Sequence, residues 1–371
     1  MGGSSDSLAS SGDGRELSLP ASHPRPLGSP LGPIRRSNLP VLDERLRGTK
    51  FVTLQPKSVL NSPEQTGMDF WSLNPYVGCE FGCSYCYARY AHRYVVQRAH
   101  DAGKLSDAEL AEFQGPHGWE AFEQRIFVKQ QILAALDSDL RRFFRRVRQQ
   151  PRDTIVIGTA TDPYQPAERR FRLTRAVLAR LAQCEGLSIG LITKSSLVAR
   201  DTDLFAQIQR HNDLEVHVSL ITLDVALIRA LESRSPIPAV RLRALKRLTD
   251  AGVNAGLIVA PVLPGITDDV PRLEALFHAA RVAGARFLTA SPLRLYPGIR
   301  DRFLPVLDAH FPELADRYRR AYAGRGAAPR DYARALSRRI KRLQVKWGFP
   351  VWRMSDRYEK RRPGPQRELP L

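Results

Sequence analysis

Three cysteines fall within eight residues, in the run Asn74-Pro75-Tyr76-Val77-Gly78-Cys79-Glu80-Phe81-Gly82-Cys83-Ser84-Tyr85-Cys86-Tyr87, at the spacing C-x3-C-x2-C. Three thiolates on one tight loop can converge on one metal centre. Gly78 and Gly82 let the backbone bend back so that N–H groups point at sulfur, which stabilises the negative charge of a thiolate-bound cluster. Two plainer arrangements compete. A structural zinc site wants four ligands in a closed shell, for which His92 is available while Cys184 lies far along the chain. Three buried thiols with no metal are the other. A three-cysteine site leaves one metal coordination position open, which is what a reactive iron–sulfur cluster needs.

Such a loop must be positioned by regular elements. From Asp69 onward, short runs rich in Val, Ile and Thr alternate with longer amphipathic segments, the mark of βαβ units and a parallel sheet. Strands are predicted over Phe70 to Tyr76, Ile155 to Thr161, Ser188 to Lys194, Leu214 to Thr222, Asn254 to Pro264 and Arg286 to Leu293. Helices are predicted near Ile126 to Gln149, Thr174 to Cys184, Asp203 to His211, Ala239 to Ala251 and Val270 to Ala283. The later strands start about 26 to 40 residues apart, close to the roughly 30 residues of a βα unit. Ala88 to Arg125 reads as an insertion over one end of the resulting barrel. Phe311 to Trp347 reads as two basic helices broken near Gly324 to Pro329.

The expected fold is therefore α/β, six units curling into a full or partial (β/α)6 barrel over residues 49–310 with a basic helical extension over 311–360. Residues 1–48, rich in Ser, Gly and Pro without period, are expected to be a disordered tail. Residues 361–371 are expected to fray.

Composition bounds the rest. The 371 residues carry 57 Lys and Arg against 38 Asp and Glu, a formal net charge of +19, so a nucleic acid or other polyanion is a candidate partner. Only nine of the cations are Lys. Four Cys cannot build the disulfide framework of a small secreted domain. No run approaches the roughly 20 apolar residues of a membrane span, and no basic-then-apolar leader opens the chain. Met1-Gly2 opens like a myristoylation signal, but Asp6 stands where Ser or Thr is wanted. A reduced, cytoplasmic compartment without membrane contact is expected.

The cysteine motif followed by Tyr87, after the first strand of a six-unit βα series, resembles the radical SAM enzymes. Gly158-Thr159-Ala160-Thr161-Asp162-Pro163-Tyr164-Gln165-Pro166, Thr193-Lys194-Ser195, Ser219-Leu220-Ile221-Thr222-Leu223-Asp224 and Ala260-Pro261-Val262-Leu263-Pro264-Gly265 resemble the branch related to spore photoproduct lyase, often labelled DNA repair photolyase-like. The likeness runs from about Pro56 to Gly348.

The resemblance implies a four-iron four-sulfur ([4Fe-4S]) cluster on Cys79, Cys83 and Cys86, with S-adenosylmethionine (SAM) bound at the fourth iron. Fed by a one-electron donor such as flavodoxin or ferredoxin, SAM would break to methionine and a 5'-deoxyadenosyl radical that abstracts hydrogen from a substrate. It also implies that Thr161 and Asp162 meet the ribose or nearby groups of SAM, that Lys194 and Ser219 meet its carboxylate, and that Tyr87 lies beside its adenine. These residues end successive predicted strands, the edge where βα barrels place their sites. Read singly, Asp162 also suits a turn and Lys194 a solvated strand end. No residue is singled out as catalytic.

The sequence departs from the branch at Thr159, where spore photoproduct lyase carries a hydrogen-donating Cys. Cys184 reads as a small buried hydrophobe. Glu232, in Leu231-Glu232-Ser233-Arg234, reads either as a family element or as a solvated helix-end carboxylate. Between Glu313 and Leu371 stand 17 Lys and Arg against six acids. In the helix near Asp331 to Trp347, residues Tyr332, Leu336, Ile340, Leu343 and Trp347 share one face. The surrounding cations, Arg338, Arg339, Lys341 and Arg342 among them, form either a solvated surface or a phosphate-binding one. The run Arg141, Arg142, Arg145, Arg146 and Arg148 reads as a solvated face. The alternative to an enzyme is a non-enzymatic, metal-stabilised protein that binds nucleic acid through its C-terminal part.

Overall fold

The computed structural model describes residues 41–44, 48–114, 118–147, 153–324 and 326–351. The expected tail up to residue 40, the end of the extension from residue 352 and the expected frayed end lie outside the described residues, as does Arg148.

Along the chain come β1 (Val41–Glu44) and β2 (Lys50–Leu54), paired antiparallel. Val41–Glu44 thus pairs as a strand inside the stretch read as tail. β3 (Leu60–Asn61) and α1 (Pro63–Thr66) follow, then β4 (Trp71–Leu73) and β5 (Tyr76–Val77). The Ala88 to Arg125 stretch holds α2 (Arg89–Asp101), α3 (Asp107–Gln114) and α4 (Gly118–Gln124), ahead of β6 (Arg125–Lys129) and α5 (Ile132–Val147). Strands and helices then alternate: β7 (Ile155–Ile157), α6 (Glu168–Phe171), α7 (Leu173–Leu181), β8 (Ser188–Thr193), α8 (Thr202–Gln209) and β9 (Asp213–Ser219). After α9 (Val225–Leu231) and α10 (Pro238–Asp250) come β10 (Ala255–Val262), α11 (Val270–Val282) and β11 (Leu288–Pro292). The last elements among the described residues are α12 (Pro297–His310), α13 (Pro312–Ala321) and α14 (Arg330–Lys346).

The large sheet has the order β11-β10-β9-β8-β7-β4-β3, six parallel strands with β3 antiparallel at one edge. Each crossover joins a strand to its immediate neighbour. Right-handed crossovers then put every connecting helix on one face, and the twisted sheet curls into a partial barrel. Leu191, Val216, Val218, Leu257 and Val259 of the strands are fully buried, as are Leu178, Phe205, Ile208, Leu245 and Leu276 of the helices. Each such side chain contributes about 1.5 to 3 kcal/mol relative to exposure.

Two expectations change. The strand expected over Phe70 to Tyr76 breaks at Asn74-Pro75, because Pro75 has no N–H for a ladder and the Asn74 side chain bonds Ser72 Oγ and the Ala160 N–H instead. Its first half stays in the large sheet, and its second half joins a separate sheet of order β1-β2-β6-β5. The helix expected from Ile126 begins as β6, since Ile126, Phe127 and Val128 are all buried and a continuous apolar run has no period to tell strand from helix.

In α14, Leu336, Ile340 and Leu343 are buried and Gln344 donates to Leu288 O at 2.8 Å, so the helix packs against β11. Arg339 donates to Asp268 O, whereas Arg338, Lys341 and Arg342 are exposed. On α5, Arg146 pairs with Glu64 at 2.7 Å and Arg142 with Asp139, which is how a solvated basic face behaves.

Candidate functional site

The cysteine loop leaves β5 and enters α2 at the C-terminal edge of the large sheet, and three segments distant in sequence hold it. Cys79 N–H donates to Phe122 O of α4 at 2.9 Å. Ser84 N–H donates to Leu231 O at 2.9 Å, Arg234 N–H to Phe81 O at 3.1 Å, and Cys83 faces Glu232 across an antiparallel bridge. Gln165 donates to Gly78 O at 3.0 Å and to Thr161 Oγ1 at 2.9 Å, while its own oxygen accepts from Glu80 N at 3.1 Å. Arg89 reaches Cys83 O at 3.0 Å, Arg234 reaches Glu80 O at 2.5 Å, and buried Glu123 pairs with both arginines. Gly78 has φ 90°, and a Cβ there would stand 2.8 Å from Phe122 O and 2.9 Å from Arg125 O. Only glycine fits that approach.

All four thiols are free of disulfides, Cys79 and Cys83 buried and Cys86 half-buried. Burial pushes the Cys79 thiol well above its usual range, and pushes Cys83 up to about 12 against the pull of Lys194. Thiolates at Cys79 and Cys83 need positive charge of the kind iron supplies, and with Cys86 on the same loop they could serve as the ligand set of a cluster. The zinc arrangement does not form. His92 Nε2 sits 3.0 Å from Arg125 O among Phe113, Phe122 and Phe127, and burial lowers its pKa to about 4.

The strand-end residues lie beside this loop with distinct engagements. Asp162 Oδ1 accepts from Tyr164 N at 2.9 Å and Thr193 Oγ1 at 2.7 Å, and Oδ2 from Lys194 N at 2.7 Å. Burial raises its pKa while these bonds oppose the rise. Thr161 Oγ1 donates to Gly78 O at 2.6 Å. Both side chains are thus engaged with the protein, tying the ends of β7 and β8 to the cysteine loop. Half-buried Lys194 places Nζ 5.7 Å from the Tyr85 ring centroid. Ser219 is buried at the end of β9, its carbonyl accepting from Arg241 at 2.9 Å. Tyr87 is 42% exposed, and its hydroxyl donates to Thr159 O at 2.6 Å. Thr159 Oγ1 is itself 2.5 Å from Ser72 Oγ and 3.1 Å from Asn74 Nδ2.

Glu232 is not a solvated carboxylate. It is fully buried, accepting from the Tyr85 hydroxyl, from Ser235 Oγ at 2.7 Å and from the fully buried Arg241. Burial alone would raise its pKa, but Arg241 and Lys194 hold it down at about 2. Arg241 stands on the buried face of α10, at i, i+3, i+4 and i+7 with Ala244, Leu245 and Leu248, and a cation at that position of an amphipathic helix is the one signal of it in the sequence. Tyr85 and Gln165 stand inside motifs quoted above, but their spacing says nothing of their partners.

Outside the loop, Tyr90 and Tyr94 are 40% and 64% exposed on α2. The Tyr87 and Tyr90 rings lie 6.3 Å apart and 23° from parallel, with Tyr94 edge-on to Tyr90 at 6.1 Å. No helix among the described residues is long and apolar enough to cross a membrane.

The radical SAM superfamily model matches residues 73–276. An uncharacterized protein of Mycobacterium tuberculosis is 33% identical over 319 residues, 85% of each chain. One from Methanocaldococcus jannaschii is 26% identical over 219 residues, 59% of this chain and 70% of that one. A solved structure of a spore photoproduct lyase mutant with bound SAM (AdoMet) and dinucleoside spore photoproduct superposes with a TM-score of 0.56 at 14% identity, over 80% of this chain and 79% of that one. The non-enzymatic alternative gives way to these findings. The chain belongs to the radical SAM superfamily, and is an enzyme on the partial-barrel fold of spore photoproduct lyase with a [4Fe-4S] cluster and SAM as its cofactors.

Proposed function

We propose that Cys79, Cys83 and Cys86 hold the cluster, and that the enzyme cleaves SAM reductively to abstract hydrogen from a substrate at the strand ends. The supporting observation is the three-cysteine loop itself, pinned at the C-terminal edge of the curled sheet with Lys194 beside it. When bound, the cofactor pair supplies the chemistry: one electron, from a donor such as flavodoxin or ferredoxin, breaks the sulfonium bond to give methionine and a 5'-deoxyadenosyl radical.

The chain's own residues place and shield that event. Lys194 and Ser219 hold the SAM carboxylate. Asp162 acts by fixing the Lys194 backbone and Thr161 by fixing Gly78, with Tyr87 flanking the cofactor. Anaerobic reconstitution followed by an assay for 5'-deoxyadenosine tests the reading, and a reduced, iron-loaded protein that leaves SAM intact refutes it. A charge-assisted hydrogen bond is worth about 1.5 to 3 kcal/mol, so Lys194→Ala should weaken SAM binding roughly ten-fold or more at unchanged iron content.

We infer that the substrate is a nucleic acid, on two observations. The chain is strongly basic, and exposed aromatic rings run from the cysteine loop along α2 beside exposed Arg93, with no carboxylate before Asp101. Near-parallel rings offer bases a stacking surface, worth about 1 to 3 kcal/mol per base. Tyr90→Ala with Tyr94→Ala should weaken single-stranded DNA binding at least ten-fold while leaving SAM cleavage without substrate intact. Replacing Arg338, Lys341 and Arg342 by Ala instead asks whether the C-terminal helix supplies the phosphate contacts. In that case the salt dependence of log affinity flattens, by about 0.9 per lost contact on duplex DNA. Binding indifferent to both sets turns the search to peptides or small molecules.

A further inference from the structure

Against the cysteine loop lies a fully buried ion pair, Glu232 with Arg241, that the reaction as proposed does not use. Cys83 and Glu232 are directly opposed in an antiparallel bridge. Opposed residues send their side chains to the same side with Cβ atoms about 4.5 to 5.5 Å apart, so the Glu232 carboxylate and the Cys83 sulfur share one small volume. The Tyr85 hydroxyl, two residues along the loop, bonds the same carboxylate, and the Lys194 ammonium lies 5.7 Å from the centroid of that ring. Arg241 closes the arrangement from α10. Its guanidinium also bonds Ser219 O, Ser235 Oγ and Pro236 O, so it is fixed on every side. Water is excluded from both charges, which keeps their fields long-ranged and unscreened.

A structural role alone does not call for charge here. A buried ion pair is often matched or bettered in stability by apolar residues of similar volume. What an apolar pair cannot do is place a fixed negative charge beside one ligand of a redox centre and a fixed positive charge behind it. A cluster that takes up an electron becomes more negative. A carboxylate nearer than its counter-ion opposes that uptake, and the cation relieves it.

We propose that Glu232 and Arg241 are positioning residues that set the reduction potential of the iron–sulfur site, with Glu232 holding it low enough to drive electron transfer onward. The proposal rests on the cluster reading above, and its test begins with a wild-type holoenzyme whose cluster can be reduced. Failure to obtain one counts against that reading and not against this one.

The measurement is an anaerobic redox titration of reconstituted holoenzyme followed by electron paramagnetic resonance, without substrate. Glu232→Gln is expected to raise the midpoint so that the one-electron equilibrium shifts about ten-fold, roughly 59 mV. Arg241→Gln is expected to lower it by a similar factor. The double variant Glu232→Gln with Arg241→Gln, which removes both charges together, should return to within about three-fold of wild type, roughly 30 mV. Opposite signs and their cancellation are not what a packing defect produces. Shifts of the same sign, or no shift beyond three-fold in either single variant at wild-type iron content, overturn the proposal. Should the single variants fail to retain a cluster, Ser235→Ala serves instead. It removes one hydrogen bond to the carboxylate and should lower the midpoint by about three-fold, and an unchanged midpoint there overturns the proposal equally.

Discussion

Alanine at Cys79, Cys83 or Cys86 is expected to strip the protein of iron and sulfide, while Cys184→Ala keeps both. The three share one loop at the C-terminal ends of the strands, fixed by hydrogen bonds from α4, from the Thr161 to Ala167 turn and from the segment after α9. With one thiolate gone, two remain against a cluster that needs three from the protein, and neither His92 nor any nearby carboxylate can step in, because each is bonded elsewhere. Cys184 lies between α7 and β8, at the opposite end of the barrel. Its carbonyl accepts from Asn212 at 2.7 Å and its sulfur contacts Arg180 at 3.5 Å. Removing that sulfur costs about 1 kcal/mol of packing. Iron and acid-labile sulfide analysis of the four variants decides the matter, and loss of iron from the Cys184 variant with retention in the Cys86 variant would refute the ligand assignment.

Gly78→Ala is expected to destabilise the protein by about 3 kcal/mol or more and to cut iron loading with it. A left-handed φ costs a non-glycine residue about 1 to 2 kcal/mol. The new methyl would also press on two backbone carbonyls, Phe122 O and Arg125 O, which cannot rotate away as a side chain can. Gly252 provides the comparison. It has φ 77° but open space where a Cβ would go, so Gly252→Ala should lose only about 1 to 2 kcal/mol and keep its iron. Urea unfolding of the metal-free proteins separates backbone strain from cofactor loss. Equal stability losses at the two positions would show that the approach of α4 to the loop carries no energetic weight.

The barrel was legible because its strands repeat at βα spacing and some of them, β7 and β8 foremost, are buried on both faces and read as short apolar runs. The cysteine motif was legible because three thiols in eight residues have few other uses. The second sheet was not. β1 and β5 are four and two residues long, and β6 is separated from α5 by only Gln130 and Gln131, so the two read as one segment. α12 also escaped notice, carrying Pro305 in its interior. The largest gap lies in the site's support. Glu232 and Arg241 are nine residues apart, with a turn and a helix start between them, and their pairing belongs to tertiary structure alone. Asp162 shows the converse, a residue singled out for cofactor contact that also accepts from the Thr193 hydroxyl and two backbone N–H groups, a role in the fold that its place in the motif does not announce.

The supports of the cysteine loop also fix an order of assembly. The loop occupies residues 79–86, yet its partners come from residues 122–125, 161–167 and 231–241. On a growing chain the three thiols leave the ribosome long before the last of these segments. Until α10 has been made, Glu232 has no Arg241, and the strand-like contact between Cys83 and Glu232 has no fixed edge. Closing contacts over about 150 residues is slow compared with forming local helices. A cluster held by Cys79, Cys83 and Cys86 is therefore expected to be delivered only once residue 241 has been made, and until then the three are expected to stand as ordinary thiols.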